Sequence, residues 1–171
     1  IDVVSIVTPN HLHVPIAKIF AEKGIHIICD KPIGMSSKEA IDLKKVIESK
    51  KLIFALTHNY TGYPMVRHAR SLVQKGDLGS LRVIQAEYPQ DWLTKKAEDS
   101  GLKQAEWRTD PNRSGAGGCI GDIGTHAYNL IRFITGLEVD EISADIHTFV
   151  EGRKVDDLSL IHISEPTRRI H

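Results

Sequence analysis

The chain has 171 residues, 41% of them hydrophobic and 26% charged, the composition of an ordinary globular protein. Lysine plus arginine and aspartate plus glutamate both number 22, so the formal net charge is zero. That balance excludes the basic excess of a nucleic-acid binder and the acidic tail of a solvating segment, so any anionic ligand must be held locally.

The two cysteines, Cys29 and Cys119, are too few for a disulfide scaffold and point to a reducing, cytoplasmic setting. The longest apolar runs, such as Val3 to Val7, are of strand length, so no membrane span is expected. Ile1 opens a strand pattern rather than a leader peptide, as though the chain began inside a fold.

Ile1 to Thr8 is β-branched and nearly all apolar, which predicts a strand of a parallel sheet buried on both faces. A helix follows over Leu12 to Lys23, stopped by Gly24, and Ile25 to Cys29 is a second strand closed by Asp30-Lys31-Pro32. Ser36 or Ser37, with Glu39 close behind, caps a helix that runs to Lys50. Leu52 to Leu56 is a third strand, ending in Thr57-His58-Asn59-Tyr60. Alternating strands and helices with short links predict α/β architecture with a doubly wound parallel sheet.

The pattern changes near Tyr60 to Pro64, where a domain boundary is expected. Pro64 to Gln74 reads as a helix, and Leu81 to Tyr88 alternates like a half-exposed antiparallel strand. Pro89 to Gly118 is an irregular stretch containing Trp92 and Trp107, long enough to suggest a functional loop. Ile120 to Ile134 reads as a helix ended by Gly136, and Glu141 to Val150 as a strand. Ser159 to His171 (SLIHISEPTRRIH) is similar to translated sequencing-adapter read-through, so it is expected to be non-native and outside the fold.

Three polar clusters, Thr8-Pro9-Asn10, Asp30-Lys31-Pro32 and His58-Asn59-Tyr60, sit where strands of the parallel sheet end. Ligands of open α/β sheets bind outside those carboxyl ends. One such cluster would be plain turn chemistry, whereas three at equivalent positions mark a crevice. Asp122 and His126 form a second constellation, four apart and so on one helical face. That spacing suits a proton-shuttling imidazole beside a carboxylate, but taken alone it favours a helix-start aspartate and a core-edge histidine.

Gly115, Gly117 and Gly118 do not make a dinucleotide fingerprint, because Ile120 stands where its last glycine should be. A metal reading has only Asp122 and His126 to start from, and the spacing of structural zinc ligands is missing. Trp92 and Trp107 suit either stacking on a sugar ring or filling an interface between domains.

Together, Val4 to His13 (VSIVTPNHLH), Asp30-Lys31-Pro32 and Gly118 to His126 (GCIGDIGTH) resemble the motifs of the Gfo/Idh/MocA oxidoreductases, in order, over residues 1 to about 158. The resemblance implies a Rossmann domain holding NAD or NADP, followed by an α+β domain with a mostly antiparallel sheet that often mediates homo-oligomers. The chain would then start at the fourth Rossmann strand, lacking roughly 70 residues before it at ~30 per βαβ unit, and would also lack most of the second sheet. The expected division is 1–60 and 61–158, with 159–171 as the tail.

By the same resemblance Lys31 is the active-site lysine, and Asp122 and His126 are the family's Asp-x-x-x-His pair. His126 would act as general base on a sugar or polyol hydroxyl, Lys31 would stabilise the developing charge, and Asp122 would orient the substrate or His126. Thr8, Pro9, Asn10, His13, Asp30, Lys31 and Pro32 would line the cofactor crevice. Tyr60, Gln90, Trp92 and Arg108 would join Lys31, Asp122 and His126 around the substrate. Asp30 departs from the family's usual glutamate. The rival readings are a non-catalytic nucleotide- or sugar-binding relative and a metal-dependent hydrolase or isomerase built on Asp122 and His126.

Overall fold

A computed structural model describes residues 1–164 of the chain. Its first part is a three-stranded parallel sheet in the order β1 (Val3–Ile6), β2 (His26–Asp30), β3 (Phe54–Thr57). Ser5 stands opposite Ile28 and Cys29 opposite Leu56, so the three strands end level with one another. A short 3-10 turn and helix α1 (His13–Glu22) connect β1 to β2, and α2 (Ser37–Ser49) connects β2 to β3. The Ser36 side chain accepts a hydrogen bond from the Glu39 amide, and Glu39 accepts in turn from the Met35 amide. This is the predicted capping arrangement, closed one residue earlier than the usual reciprocal pair.

The core lies between the sheet and these two helices, with Ile6, Val14, Ala17, Ala21, Ile27, Cys29, Leu43 and Ile47 buried. Each large apolar side chain there contributes about 1.5–3 kcal/mol. The prediction of a sheet buried on both faces is corrected: only one face is covered. Two successive right-handed crossovers put both helices on the same side, so Val3, Val7 and Ile28 on β1, its end and β2 stay exposed.

A 3-10 turn over Asn59–Gly62 leads into α3 (Pro64–Lys75), which ends at Gly76 in the left-handed conformation, as its sequence suggested. The strand expected over Leu81–Tyr88 does not form. Its alternation finds no ladder partner among the described residues, and an unpaired strand has no hydrogen bonds to hold it. Within the long loop lie a 3-10 turn (Ala97–Ser100) and two short helices, α4 (Lys103–Arg108) and α5 (Pro111–Ser114).

The single helix expected from Ile120 is a π-helical turn over Ile120–Gly124 that runs into α6 (Thr125–Thr135). α6 packs against α3. β4 (Glu141–His147) pairs antiparallel with β5 (Leu158–Ser164), Ala144 opposite Ile161. β5 extends through Ser164, six residues into the expected tail, with Leu158 and Leu160 alternating on one face and Ile161 and Ile163 on the other. The rest of the expected tail, 165–171, lies outside the described residues. Among the described residues no helix is long and apolar enough to cross a membrane.

Candidate active site

The level strand ends present their three polar clusters along one edge, and the Gly118–His126 segment closes over it. The Lys31 ammonium donates to Asp122 Oδ1 at 2.7 Å and also to the Asp122 backbone carbonyl. The Arg108 Nε donates to the other carboxylate oxygen, Oδ2, at 3.3 Å. Burial raises the Asp122 pKa, but Lys31 and Arg108 outweigh it and hold the carboxyl below its ordinary value. Asp122 is therefore an anion gripped from both sides.

His126, 8% exposed, stands one helical turn beyond Asp122. Its ring lies 4.5 Å from the Tyr60 ring and edge-on to His58 at 6.2 Å. Burial, then the charges of Lys31 and His58, push the imidazole pKa down to about 4, with Asp122 alone pulling the other way. His58 is lowered as well, by burial and by Lys31. The Tyr60 hydroxyl shares a 2.5 Å hydrogen bond with the Tyr88 hydroxyl, which with burial raises the Tyr60 pKa to about 12. At neutral pH the cluster thus presents a neutral imidazole and a neutral phenol beside a lysine–aspartate pair.

The remaining predicted residues divide by position. Asn10 donates to the Ser114 carbonyl at 2.7 Å and borders a small hollow with Trp107, Gly117 and Asp122. The backbone carbonyl of Pro9 closes the turn to Leu12. His13 does not line the crevice as expected. It is 1% exposed, and its two ring nitrogens contact the Thr8 and Pro32 carbonyls at 2.7 Å, so it ties the first strand end to the second. Asp30 accepts from the Thr57 hydroxyl at 2.7 Å, so the shortened acid braces β3 while Asp122 holds Lys31.

The Arg108 guanidinium lies over the Trp107 ring at 4.2 Å and 5.8 Å from the Trp92 ring, within cation–π range. The Trp92 indole donates to Gln90, and both border an open hollow with Tyr88 and Asp91. The Tyr88–Tyr60 and Trp92–Arg108 contacts link that hollow to the lysine cluster.

Buried polar atoms without a partner test whether the edge suits a polar ligand. Among the described residues these are Thr8 Oγ1, His11 Nδ1 and His58 Nδ1, all on the clusters after β1 and β3. Leaving such atoms unpaired is costly, so they mark places for a ligand's donors and acceptors. The edge fits a polar cofactor.

Family models account for nearly the whole chain. The NAD-binding Rossmann-fold model of this oxidoreductase family matches residues 1–58, and the GFO/IDH/MocA C-terminal domain model matches residues 66–167. The chain belongs to the Gfo/Idh/MocA oxidoreductase family.

Levoglucosan dehydrogenase of Pseudarthrobacter phenanthrenivorans is 33% identical over 153 residues, which cover 90% of this chain and 37% of that protein. An oxidoreductase from Sinorhizobium meliloti is 47% identical with a TM-score of 0.79, covering 95% of this chain and 40% of that one. An inositol dehydrogenase homolog from Azotobacter vinelandii, solved with NAD+, is 25% identical with a TM-score of 0.91, covering 95% and 42%. The chain thus spans about 40% of the length of the relatives it matches.

The Gfo/Idh/MocA motifs contain Lys31, Asp122 and His126 but not every residue that shapes the cluster. Tyr88 and Asp156 carry no motif, and only their contacts, with Tyr60 and with the Gly118–Ile120 segment, bring them forward.

Proposed function

We propose that this chain is the central part of an NAD- or NADP-dependent dehydrogenase that moves hydride between the nicotinamide and a sugar or polyol carbon. The observation that carries the reading is the Lys31–Asp122 ion pair beside His126, built between the parallel-sheet edge and the second half of the chain. Its family membership and its similarity to a levoglucosan dehydrogenase support the same reading.

Thr8, Pro9, Asn10, Asp30, Lys31 and Pro32 would hold the cofactor along the strand ends, with His13 bracing them from beneath. The nicotinamide, when bound, supplies the hydride acceptor or donor. His126, neutral at physiological pH, takes the hydroxyl proton at its free ring nitrogen. An imidazole pushed down to about 4 is a weak base, and the adjacent Lys31 ammonium offsets this by stabilising the oxygen as its charge develops. Asp122 orients Lys31, and Arg108 steadies Asp122. Tyr60 backs the His126 ring, while Gln90 and Trp92 border the substrate's far side.

The metal-dependent alternative is disfavoured by the engagement of both Asp122 oxygens with cations. We further propose a division near residue 60, a longer homo-oligomeric protein whose additional segments cover the exposed sheet faces, and a cytoplasmic location in keeping with two free thiols.

The test is hydride transfer. The full-length protein is incubated with NAD or NADP and a panel of sugars and polyols, and absorbance is followed at the reduced-nicotinamide wavelength. Turnover of at least one sugar or polyol is expected. Tight binding of cofactor and sugar without any turnover would favour the non-catalytic reading instead.

A further inference from the structure

Asp156 lies outside every motif and 34 positions beyond Asp122 by residue number, yet it is the most heavily used acceptor near the site. It is 8% exposed. Its Oδ1 accepts from the Gly118 amide at 2.5 Å, and its Oδ2 from the Ile120 amide at 2.8 Å and the Cys119 thiol at 2.9 Å. The Ser159 hydroxyl adds a further bond at 2.8 Å, and the Asp156 backbone carbonyl accepts from the Cys119 amide at 2.9 Å. Burial raises the carboxyl's pKa, but these donors outweigh it and keep the group below its ordinary value.

An ordinary helix cap satisfies one amide near the first turn. Here three consecutive residues, Gly118 to Ile120, are bound at once, leading into the first residue of the π-helical turn that carries Asp122. The approach is so close that only glycine fits at 118, since a Cβ there would overlap the Asp156 carbonyl oxygen and lie 2.8 Å from Val155 Cγ2. A π turn is an uncommon conformation that needs outside support, and the two bonds that Lys31 makes to Asp122 require that turn to stay in place.

We propose that Asp156 is a positioning residue of the active site, its carboxylate fixing the Gly118–Gly124 segment and through it the placement of Asp122 and His126 against Lys31. Asp156 does not touch substrate; it acts through the turn. This inference rests on the dehydrogenase reading for its kinetic consequence, but its structural consequence stands without that reading.

The experiment compares Asp156→Asn with wild type in the full-length enzyme. An amide retains the size but replaces one acceptor with a donor that faces a backbone N–H. The expected result is a kcat lower by about tenfold to a hundredfold, the usual effect of displacing a catalytic group by a fraction of an ångström to an ångström. KM for the nicotinamide cofactor should stay within about twofold of wild type, because the strand-end crevice is untouched.

In parallel, NMR titration of His126 should show its imidazole pKa rising from about 4 toward the ordinary value as the turn loosens. The titration reads the anchor even in a protein without turnover. A wild type lacking activity but with a mobile His126 in the variant would therefore overturn the dehydrogenase reading and support the positioning role. Wild-type kcat and wild-type titration in the variant would overturn the positioning role. If Asp156→Asn does not fold, Cys119→Ala replaces it, with a kcat loss of about threefold restored by Cys119→Ser expected, and an unchanged Cys119→Ala enzyme counting against the proposal.

Discussion

Lys31 and Asp122, 91 positions apart in the chain, meet at 2.7 Å. The lysine comes from the end of β2 in the Rossmann part and the aspartate from the π turn in the second part, so the pair joins the two halves at the point where the chemistry is proposed. Its side chains keep 12% and 30% of their surface exposed, which leaves the ammonium shielded but still open to a small ligand.

Removing either proposed catalytic group should cut turnover, and His126→Ala should also leave the cofactor in place. Lys31→Ala or His126→Ala in the full-length enzyme is expected to lower kcat by about 10²-fold or more, the ordinary worth of a positioned acid–base group. Steady-state assays at saturating cofactor, with cofactor binding measured separately by fluorescence, check this. Near-normal kcat in both variants would remove the mechanism.

Much of this was legible because periodicity and motif agree where the chain is most regular. The β-branched runs before Pro9 and Asp30 could only be strands, and their polar ends had to share an edge once the crossovers were right-handed. Lys31 was singled out by that position and by the family motif together. The spacing of Asp122 and His126, by contrast, said little until the resemblance was added.

What escaped was long-range and non-periodic. His13 reads like another crevice residue, and nothing local reveals that backbone carbonyls of two different loops claim both of its ring nitrogens. Leu81 to Tyr88 alternates like a strand, but alternation cannot supply the neighbouring strand it requires. Asp156 looks like one acid of a pair before a strand, and the backbone amides and thiol that it accepts from lie 36 to 38 positions away.

The pH dependence of stability has a definite sign. The His126 imidazole titrates near 4 in the folded protein and at about 6.5 when unfolded. Between those values the unfolded chain binds the extra proton, so stability is full above about 6.5 and falls as the pH drops toward 4. His58, also lowered, adds to the same slope, and the lowered carboxyls of Asp122 and Asp156 extend the loss further into acid. Urea unfolding of the full-length protein between pH 4 and 7 should show this decline, and His126→Gln should make it shallower. A protein more stable at pH 4.5 than at pH 7 would contradict the burial of these imidazoles.

Gly118→Ala tests the close approach of backbone to backbone beside the turn that carries Asp122. The added methyl has no room, because its neighbours are a carbonyl oxygen and the Val155 side chain rather than a movable side-chain tip. Overpacking of this kind costs about 1–3 kcal/mol or more. Denaturant midpoints should fall accordingly, and kcat should fall with them because the displaced turn carries Asp122. By comparison Gly121→Ala, where a Cβ meets nothing within 4 Å, should leave both within experimental error of wild type.

Arg153 supplies the last test, of the loop that carries Trp92. Its side chain is 1% exposed, and its guanidinium donates to both Glu98 oxygens, to the Leu93 and Lys95 carbonyls, and to Asp157. Asp157 in turn accepts from the Phe149 and Val150 amides, so one cation fastens the irregular 93–98 stretch to the turn before β5. Truncating the arginine leaves the buried Glu98 carboxylate and the Leu93 and Lys95 carbonyls without their guanidinium donors, while Asp157 keeps its two backbone amides. Arg153→Ala should therefore cost about 3–5 kcal/mol, read as a shift of the urea midpoint at constant slope. Arg153→Lys should recover only part of it, because a single ammonium cannot reach carboxylate and carbonyl partners in the fork geometry of a guanidinium. If alanine cost less than about 1 kcal/mol, the loop would owe its shape to something other than this arginine, and the placement of Trp92 beside Arg108 would need another cause.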